Sequence, residues 1–596
     1  MVDYEDKGPE NNSINRRRRK LLVSTGAGLL SGIAGIAAVP AVRAEKSMKW
    51  ERKADVLVVG SGAAGTAAAL AAAQAGSTVL ILEKMPFSGG TTRKSAGVFW
   101  IPNNPYLRQK GVNDDREGAL RYMIRLAYPD LYRPDHKTMG ISPDAFAQLE
   151  TFYLNGSRVI QALMANTTLK ISPWHYKPDQ VWPDYHAHLP EDEVEVGRSL
   201  VTDMSDNPES AFWPAAGGDG NALLTKLRAG FEGKPVEVLL DHKVKSLVKN
   251  DGGRVAGLVV EDPDAGLVKF QARKGVVFAS GGFTHNKAMA DCFLRGRVWG
   301  GCAMPGSTGD FVPIAAGVGA MFGNMNNAWW CQIPVELAVR RRSVPYNVWV
   351  PPGDSMLQVN RYGRRFVNEK IAYNERTQVH FYWDPVRLEY PNLLGIMIWD
   401  GRSHKAYAGY DPIPGPDASL PEYIIRAATL DELATKVATH LQLLEEHTGA
   451  LKLDASFKRN LVGEIEQFNQ FARSGKDERF GRGETPNENA WQTVWLQKPT
   501  NPYPNKTLYP ISEKGPYYAV LLGAGTLDTK GGAVIDSRSR VLNTEGVPIP
   551  GLYAAGNCVA SPAHQAYWGG GGTIGPALTF GYIAGEQVAG AQSYDA

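Results

Sequence analysis

The chain has 596 residues, of which 43% are hydrophobic, and this is enough apolar material for a large globular fold of roughly two to four domains. Such a composition excludes a disordered protein. The 64 basic and 61 acidic residues nearly cancel, and part of the net charge of +3 comes from one run at 16–20. Because nucleic-acid binding needs lysine and arginine clustered on one face, we expect no nucleic-acid partner.

The N-terminal residues have the pattern of an export signal. The basic run from Arg16 to Lys20 precedes an apolar stretch rich in Gly and Ala at 21–42, and the pattern ends at Ala44. The adjacent arginines resemble a twin-arginine signal, whose machinery exports proteins already folded around a cofactor. We therefore predict a signal peptide at 1–44, a periplasmic or otherwise exported protein, and no integral membrane segment in the mature chain. An uncleaved membrane anchor stays open as an alternative, because the apolar run is almost long enough to span a bilayer.

A dinucleotide-binding motif comes next in the chain. The apolar run at 54–59 predicts a buried strand, and GSGAAG then places Gly60, Gly62 and Gly65 in the GxGxxG spacing ahead of an Ala-rich helix. The following strand ends in Glu83, which lies 18 residues after Gly65. In this order the glycines let the backbone approach a pyrophosphate, the helix N-terminus attracts its charge, and the acid binds a ribose hydroxyl.

The cofactor is predicted to be FAD rather than a nicotinamide. A second Gly/Ser/Thr loop lies at 88–97, and further candidate contacts recur at 276–282 and 551–557. A cofactor touched from both ends of the chain must be long, and a flavin that does not exchange fits this better than a dissociable nicotinamide. Because the 88–97 loop has no histidine, we predict non-covalent FAD. The predicted FAD-binding residues are Gly60, Gly62, Ala63, Ala64, Gly65, Glu83, Lys84, Ser88, Gly89, Gly90, Thr91, Thr92, Ser95, Ala96, Gly97, Val244, Ala279, Ser280, Gly281, Gly556, Asn557, Gly572, Thr573 and Ile574.

The four cysteines are Cys292, Cys302, Cys331 and Cys558, and none of them has CxxC or CxxCH spacing. Iron–sulfur ligation and covalent c-type haem therefore find no support, and no metal site is predicted. Isolated cysteines are typically small buried hydrophobes. We expect the electron partner, a quinone or a cytochrome, to be a separate molecule.

Several motifs in order are similar to those of the fumarate reductase flavoprotein and 3-ketosteroid dehydrogenase superfamily. They are GSGAAG, the GGTT loop, DGGRVAGLVV with VVFASGGF, RYGRRFVNE, GLYAAGN and GGTIGPALTFGYIAG, and they cover nearly all of the chain after residue 50. The resemblance implies an α/β fold. Its Rossmann-type FAD-binding domain, at 51–300 and 506–596, is interrupted by an α+β capping catalytic domain at 301–505.

The dicarboxylate reductases of this superfamily fit the sequence poorly. Their proton donor is an arginine five positions after the Asn of an RFxNE motif, and counting from Asn368 that position here is Tyr373. Their C-terminal clamp contains an arginine, whereas AYWGGGGTIGP has no basic side chain. A site without fixed cations cannot offset the desolvation of two carboxylates, so we expect a neutral, ketone-like substrate.

The 3-ketosteroid dehydrogenase pattern resembles this sequence more closely, through SAGVFWIPNNP, WPDY, NEKIAY and AYWGGGGTIGP. Carried over by position, it implies that Tyr373 is the base that removes the proton alpha to the ketone and that Tyr185 assists it. Tyr567 and the N–H of Gly571 would hold the ketone oxygen. Trp568 stands where that family usually has proline, so the pocket and the substrate can differ from those of the steroid enzymes.

The chemistry requires such an arrangement. Two donors on the ketone oxygen stabilise the developing enolate, and a hydride then leaves the adjacent carbon for the flavin. Ionising a tyrosine at pH 7 costs about 4 kcal/mol, so a second hydroxyl beside the base is expected. We predict an FAD-dependent dehydrogenase of a 3-ketosteroid-like or other cyclic ketone. A cytochrome-fed reductase of an activated double bond and a redox-neutral isomerase stay open as alternatives.

Three other segments give structural predictions. The apolar spacing at 428–441 predicts a helix, and the polar stretch at 474–490 predicts an exposed loop. Trp329 and Trp330 could line an apolar pocket, but core packing is the favoured interpretation.

Overall fold

The fold begins with the predicted strand–turn–helix unit: β1 runs from Trp50 to Val59, α1 from Ala63 to Gln74 and β2 from Val79 to Leu82. The computed structural model describes residues 49–594 except 195, 205–217, 346, 347, 349, 450 and 496–499, so the predicted signal peptide at 1–44 lies outside the described residues. Helix α1 consists mostly of alanine and is buried along almost its whole length. An alanine helix can approach a sheet closely on every side, which explains its central position.

The remaining helices and strands are spread over the whole described chain. The helices are α2 Gly90–Lys94, α3 Pro105–Gln109, α4 Arg116–Ala127, α5 Pro143–Asn166, α6 Gly220–Arg228, α7 Lys287–Phe293, α8 Phe311–Ala316, α9 Val335–Arg340, α10 Tyr373–Gln378, α11 Gly401–Ala406, α12 Leu430–Leu443, α13 Glu445–Thr448, α14 Phe457–Ser474, α15 Pro486–Trp495 and α16 Ile574–Ala589. The strands are β3 Phe99–Trp100, β4 Ile171–Pro173, β5 His175–Lys177, β6 Gln180–Val181, β7 Ser199–Thr202, β8 Val236–Leu239, β9 Lys243–Lys249, β10 Val255–Asp262, β11 Gly266–Phe278, β12 Phe322–Gly323, β13 Ala328–Pro334, β14 Met356–Val359, β15 Gly395–Asp400, β16 Ile424–Ala427, β17 Tyr517–Thr529, β18 Gly532–Ala533, β19 Arg540–Leu542 and β20 Pro548–Ala554.

An eight-stranded sheet forms the centre of the fold. Its main path has the order β19-β20-β11-β1-β2-β8, and β10 and β9 extend from β11 as an antiparallel branch. Strand β1 pairs in parallel with β2, β2 with β8, and β11 with β20. The carboxyl ends of these parallel strands therefore lie at one edge, where doubly wound sheets bind their ligands.

Two long helices pack against each other beside this sheet. Helix α16 lies against α1 so closely that a side chain at Gly581 would lie 2.3 Å from the Ala64 carbonyl oxygen, and one at Gly585 would lie 2.2 Å from that of Ala68. Only glycine permits such an approach. The C-terminal segment of the chain is thereby fixed to its first dinucleotide-binding unit.

A second layer contains a five-stranded antiparallel sheet. Strands β13, β17, β15 and β14 follow one another, and β16 also pairs with β17. The helices α12 and α14 lie in this half of the chain, and Thr429 caps α12 as its side chain accepts from the Glu432 N–H at 3.1 Å. The α/β class with a Rossmann-type FAD-binding domain is confirmed, whereas the domain bounds at 300 and 506 stay a prediction. Within the described residues, no helix is both long and apolar enough to cross a membrane.

Candidate active site

One cavity of about 520 Å³ lies at the carboxyl ends of the parallel strands and continues toward the five-stranded sheet. Its wall includes the predicted catalytic residues and all but four of the predicted FAD-binding residues. Segments from both ends of the chain meet there, as a long cofactor requires. Among the described residues, no group of three or more His, Cys, Asp or Glu side chains is placed to hold a metal ion.

The glycine motif forms a tight turn between β1 and α1. Gly60 has φ +100, and a β-carbon there would lie 2.4 Å from the Ala279 carbonyl oxygen. A β-carbon on Gly65 would lie 2.0 Å from the Gly60 carbonyl oxygen. The first glycine thus lets β1 approach the loop after β11, and the third lets the helix fold back onto the turn.

Glu83 lies at the end of β2 and lines the cavity. One carboxylate oxygen accepts hydrogen bonds from the Ser61 hydroxyl at 2.6 Å and the Ser61 N–H at 3.2 Å, and the other accepts from the Met85 N–H at 3.0 Å. A carboxylate has about four acceptor positions, so Glu83 is oriented by the protein and keeps capacity for a ribose hydroxyl. Ser61 was not predicted, although it lies inside the GxGxxG motif.

Two helix N-termini face this cavity. The N-cap residue of neither helix supplies a side-chain cap, although the Ala63 N–H of α1 donates to the Thr92 hydroxyl at 3.1 Å. The residues at both starts, Gly62 and Ala63 in α1 and Thr573 and Ile574 in α16, belong to the wall. Unpaired N–H groups and the helix dipole make such positions favourable for anions and for electron-rich carbonyls. FAD offers both, a pyrophosphate and the carbonyls of the flavin ring, so the residues present fit FAD.

The four predicted FAD-binding residues outside the cavity wall support it from behind. Gly65 packs on the glycine turn, and Ser88 accepts a hydrogen bond from the Arg228 guanidinium at 2.6 Å. The Gly89 N–H donates to the Ser61 hydroxyl at 2.8 Å, and Gly572 lies against the ring of Tyr567. These four residues belong to the sequence motifs because they determine the conformation of the loops. A residue can be needed for the loop conformation without contacting the ligand.

Three tyrosines from distant parts of the chain meet at the inner end of the cavity. Tyr185 lies in the loop after β6, Tyr373 begins α10, and Tyr567 lies in the glycine-rich loop before α16. The Tyr185 and Tyr373 hydroxyls are 3.0 Å apart, and the ring centroids of Tyr567 lie 5.5 and 5.3 Å from those of Tyr185 and Tyr373. The structure thus brings the predicted catalytic tyrosines together, while their individual roles stay predictions.

Burial dominates the electrostatics of this cluster. It raises the pKa of Tyr373 and of Tyr185 well above the usual value, because a phenolate loses its hydration there. Burial also raises the pKa of Tyr567, while hydrogen bonds from Tyr373 and Thr573 lower it in part. All three side chains are therefore neutral near pH 7. This agrees with a site that holds a ketone by hydroxyl donors.

Gly571 completes the predicted ketone clamp. It has φ +88, and a β-carbon there would lie 2.4 Å from the Phe99 backbone. Its carbonyl oxygen accepts from the Trp100 N–H at 3.1 Å and the Gly575 N–H at 3.0 Å. These bonds fix the peptide between β3 and α16, so only glycine allows this backbone to lie at the cavity wall.

Trp568 joins the loops behind the tyrosines. Its carbonyl oxygen accepts from the Tyr185 N–H at 3.1 Å and from the Tyr122 hydroxyl at 2.6 Å. Its indole is buried against Trp100 and Phe152, with ring centroids 5.2 and 5.9 Å away. Trp568 therefore packs behind the pocket, and its side chain is not part of the cavity wall.

Trp329 is buried in the core, as predicted, and it also lines the cavity. Its ring lies 5.0 Å from that of Tyr567, and its indole N–H donates to the Asn557 side chain at 3.0 Å. Trp330 points to the other side of β13, where it packs on Phe381 at 4.8 Å. Two adjacent strand residues face opposite sides of the sheet, so Trp329 reaches the cavity and Trp330 does not.

Lys530 is a buried amine next to this wall. Its side-chain nitrogen donates to the Ala566 carbonyl oxygen at 2.8 Å and lies 4.1 Å from the centroid of the Trp329 ring. Burial holds the pKa of Lys530 well below its ordinary value. Because Ala566 precedes Tyr567 and Trp329 packs on the Tyr567 ring, Lys530 fixes the position of that tyrosine from two sides.

We expect Lys530→Met to lower kcat by up to about tenfold while FAD content stays unchanged, because a buried hydrogen bond that fixes Tyr567 contributes about 0.5–1.5 kcal/mol. Steady-state kinetics and the flavin absorbance of the purified variant measure this. Lys436→Met, on the exposed side of α12, is the matched control. An unchanged kcat in the Lys530 variant would show that Lys530 does not position Tyr567.

The outer part of the cavity is apolar and aromatic, and sequence reasoning did not find it. It includes Val98, Trp174, Val350 and Trp491. Asp411 also lines the cavity, and burial raises the pKa of its carboxyl to about 6. Val98 lies within SAGVFWIPNNP, but Trp174, Val350, Asp411 and Trp491 come from loops and from α15 and belong to no motif, so the signal that could have located them exists only in the folded chain.

The fold and the cavity define a flavoprotein oxidoreductase. The FAD binding domain family matches residues 55–574. The 3-oxosteroid 1-dehydrogenase of Mycolicibacterium smegmatis is 32% identical over 90% of this chain and 97% of that protein. The 4-oxocyclohexanecarboxylate 2-dehydrogenase of Sinomonas cyclohexanicum is 30% identical over 91% of this chain and 94% of that protein.

A solved structure agrees with these relatives. The 3-ketosteroid delta1-dehydrogenase of Sterolibacterium denitrificans, in complex with 1,4-androstadiene-3,17-dione, superposes with a TM-score of 0.74 at 27% identity, over 90% of this chain and 99% of that one. The chain belongs to the FAD binding domain family. The predicted superfamily, the FAD cofactor and the oxidoreductase class are thereby confirmed, and non-covalent attachment of FAD stays a prediction.

Proposed function

We propose that this protein introduces a carbon–carbon double bond next to the ketone of a neutral cyclic substrate. The observation that carries the proposal is the tyrosine cluster, in which the hydroxyls of Tyr185 and Tyr373 lie 3.0 Å apart beside Tyr567 in the FAD cavity. The relatives named as 3-oxosteroid and oxocyclohexanecarboxylate dehydrogenases support this reaction. Run in reverse, the same residues would reduce an enone, but these relatives favour dehydrogenation.

The proposed mechanism assigns one role to each polar group. The Tyr567 hydroxyl and the Gly571 N–H hold the ketone oxygen, and their hydrogen bonds strengthen as negative charge develops on it. Tyr373 takes the proton from the alpha carbon, and Tyr185 hydrogen-bonds to Tyr373 and shares the charge that would otherwise lie on one phenolate. Bound FAD supplies the acceptor for the hydride that leaves the adjacent carbon.

The pH dependence follows from the raised pKa of Tyr373. Because burial raises this pKa, the deprotonated base is a small fraction at neutral pH, and that fraction grows about tenfold per pH unit. We expect kcat/KM to rise through neutral into alkaline pH. A pH–rate profile with saturating acceptor measures this. A profile that is flat or falls with pH would contradict a tyrosine base.

The substrate class follows from the charges around the cavity. The described lining residues include no arginine; Lys84 is paired with Asp310 at 2.6 Å, and Lys94 donates to the Val344 carbonyl oxygen at 2.6 Å. Asp411 adds a negative charge at neutral pH, which disfavours a substrate carboxylate. The aromatic outer wall suits a polycyclic ketone. We therefore propose a neutral, 3-ketosteroid-like substrate over a cyclic oxo acid.

The purified, FAD-loaded protein with an artificial dye acceptor tests this proposal. We expect turnover of a 3-ketosteroid with a higher kcat/KM than that of 4-oxocyclohexanecarboxylate. The reverse order would overturn the substrate class. Turnover only with reduced dye and an enone would overturn the direction, and product formation without any acceptor would indicate an isomerase.

The electron partner and the location are further parts of the proposal. A separate quinone or cytochrome takes the electrons, because the cysteine spacing offers no ligands for an internal iron–sulfur centre or haem. Export by the twin-arginine-type segment at 1–44 is supported by its basic run and apolar stretch. N-terminal sequencing of protein from the exported fraction tests this; a mature chain that retains the segment would contradict cleavage after Ala44.

A further inference from the structure

The segment 382–390 concentrates exposed apolar side chains on the surface. It carries Tyr382, Trp383, Val386, Leu388 and Tyr390, whose exposed fractions are 57%, 43%, 88%, 73% and 39%. Single exposed hydrophobic residues are ordinary, but a contiguous group of this kind marks an interaction surface. We call this segment the 382–390 hairpin.

Local contacts hold the hairpin in one conformation. The Asp384 N–H donates to the Glu389 carbonyl oxygen at 2.9 Å, and the Glu389 N–H donates back to that of Asp384 at 3.3 Å. One Asp384 carboxylate oxygen accepts from the N–H groups of Val386 and Arg387 at 2.9 and 3.0 Å. The apolar side chains are therefore displayed by an ordered turn, and collapse onto the protein surface would break these bonds.

Two arginines lie at the base of the hairpin. Arg295 donates to the side chain of Gln378 at 2.8 Å, at the end of α10, and Gly296 lies against the ring of Phe381, which precedes the hairpin. Arg295 and Arg297 are exposed, and within the described part of the chain neither has a carboxylate partner, although the Arg295 guanidinium also donates to the side chains of Asn327 at 2.5 Å and Gln565 at 3.4 Å. The base of the hairpin thus carries positive charge that the protein itself does not neutralise.

We propose that the 382–390 hairpin docks this protein onto the surface of an anionic lipid bilayer. Val386 and Leu388 would enter the boundary between headgroups and acyl chains, and the aromatic rings would remain at headgroup level with their polar atoms in water. Arg297 would meet the negatively charged headgroups, and Arg295, whose guanidinium is held by Gln378, Asn327 and Gln565, would add positive charge behind it.

The size of the hairpin favours a bilayer over a protein partner. A stable protein–protein interface uses about 20–30 residues on each side, whereas the hairpin offers nine residues, 382–390, on a projecting turn. Insertion into a lipid interface needs only a few apolar side chains together with adjacent basic residues. The proposal does not depend on the reaction that the enzyme catalyses.

Vesicle flotation with the FAD-loaded full-length protein tests this proposal. The vesicles are phosphatidylcholine alone or mixed with phosphatidylglycerol. The variants are V386D/L388D, Arg297→Gln and, as a matched control, Leu443→Asp, since Leu443 is 74% exposed on α12. Each variant is also prepared without the predicted signal peptide at 1–44, because the apolar stretch at 21–42 would bind vesicles by itself and mask a loss at the hairpin. Flavin absorbance and turnover with a soluble dye show that each variant is folded.

We expect the wild type and Leu443→Asp to float equally with mixed vesicles, and V386D/L388D to partition at least about tenfold less, since each buried aliphatic side chain contributes at least that factor. Arg297→Gln should lose part of the preference for phosphatidylglycerol. Equal flotation of V386D/L388D and wild type would overturn the proposal. The proposal would also be overturned if the wild type formed an oligomer and V386D/L388D were monomeric while both floated equally. That result would assign the hairpin to contact between copies of the chain.

Discussion

Tyr373→Phe should lower kcat/KM by about 10²–10⁴-fold, the range expected when a positioned proton acceptor is lost. The side chain keeps its ring and loses only the hydroxyl, which lies 3.0 Å from that of Tyr185. FAD content and substrate binding should change little, because the ring still packs between the other two tyrosines. Steady-state kinetics together with a substrate-binding titration of the oxidised enzyme measure both quantities.

The matched control is Tyr517→Phe, which removes another buried hydroxyl, one that donates to the Ser512 carbonyl oxygen at 2.9 Å and lies outside the cavity wall. Its activity should remain close to that of the wild type. The double variant Tyr373→Phe/Tyr185→Phe should lose less kcat/KM than the product of the losses in the two single variants. The two hydroxyls act as one unit, so removing the second costs less once the first is gone. Normal turnover of Tyr373→Phe would rule out the proposed base.

Gly60→Ala should abolish stable FAD binding. A β-carbon there would lie 2.4 Å from the Ala279 carbonyl oxygen, and the backbone has φ +100, so β1 and the loop after β11 must separate. A cost of about 3 kcal/mol against the bound state weakens affinity by about a hundredfold. The ratio of flavin to protein absorbance after gel filtration measures this loss.

Gly76→Ala is the control that tests a positive φ alone, without the steric clash that a β-carbon would make at Gly60. Gly76 has φ +81, but a β-carbon there would meet no atom within 4 Å. This variant should show a modest loss of thermal stability and keep its FAD. If both variants retain flavin equally, the close approach at Gly60 does not matter for the cofactor, and the assignment of this turn as the pyrophosphate site fails.

The sequence predicts the cofactor half of the site well for a physical reason. A strand, a glycine turn, a helix and an acid lie within one continuous segment. GSGAAG and Glu83 are therefore enough to predict the local structure of this part of the site. The tyrosines are predictable only through the resemblance of their motifs. Nothing in composition or spacing singles out Tyr185 or Tyr373 among 24 tyrosines.

The prediction of an exposed loop at 474–490 is correct for the loop at 475–485 but wrong about the helix that follows and about the burial of Arg482, which a buried ion network explains. The segment was expected to be an exposed loop, yet α15 begins at Pro486 and Arg482 is buried. Arg482 lies 3.0 Å from Glu369, which also pairs with Arg365 at 2.8 Å. Polar residues predict exposure unless opposite charges from distant segments meet them, and a linear pattern cannot show those partners.

The wall around the substrate was missed for a related reason. Trp174 and Asp411 come from two loops and Trp491 from α15, with no common spacing, and they meet only in the folded chain. Trp329 and Trp330 are both buried, as predicted, but the sequence did not indicate that the ring of Trp329 also lines the cavity.

The three hydroxyls of the tyrosine cluster come from segments that are separated by more than 180 residues of chain, at 185, 373 and 567. No single peptide carries the chemistry, so the reactive group cannot be transplanted as a short fragment. The long stretches between these anchors can vary in the loops that face the ligand, while the proton-handling geometry is retained. Such separation suits a fold in which the substrate can change through the loops while the residues that remove the proton stay the same.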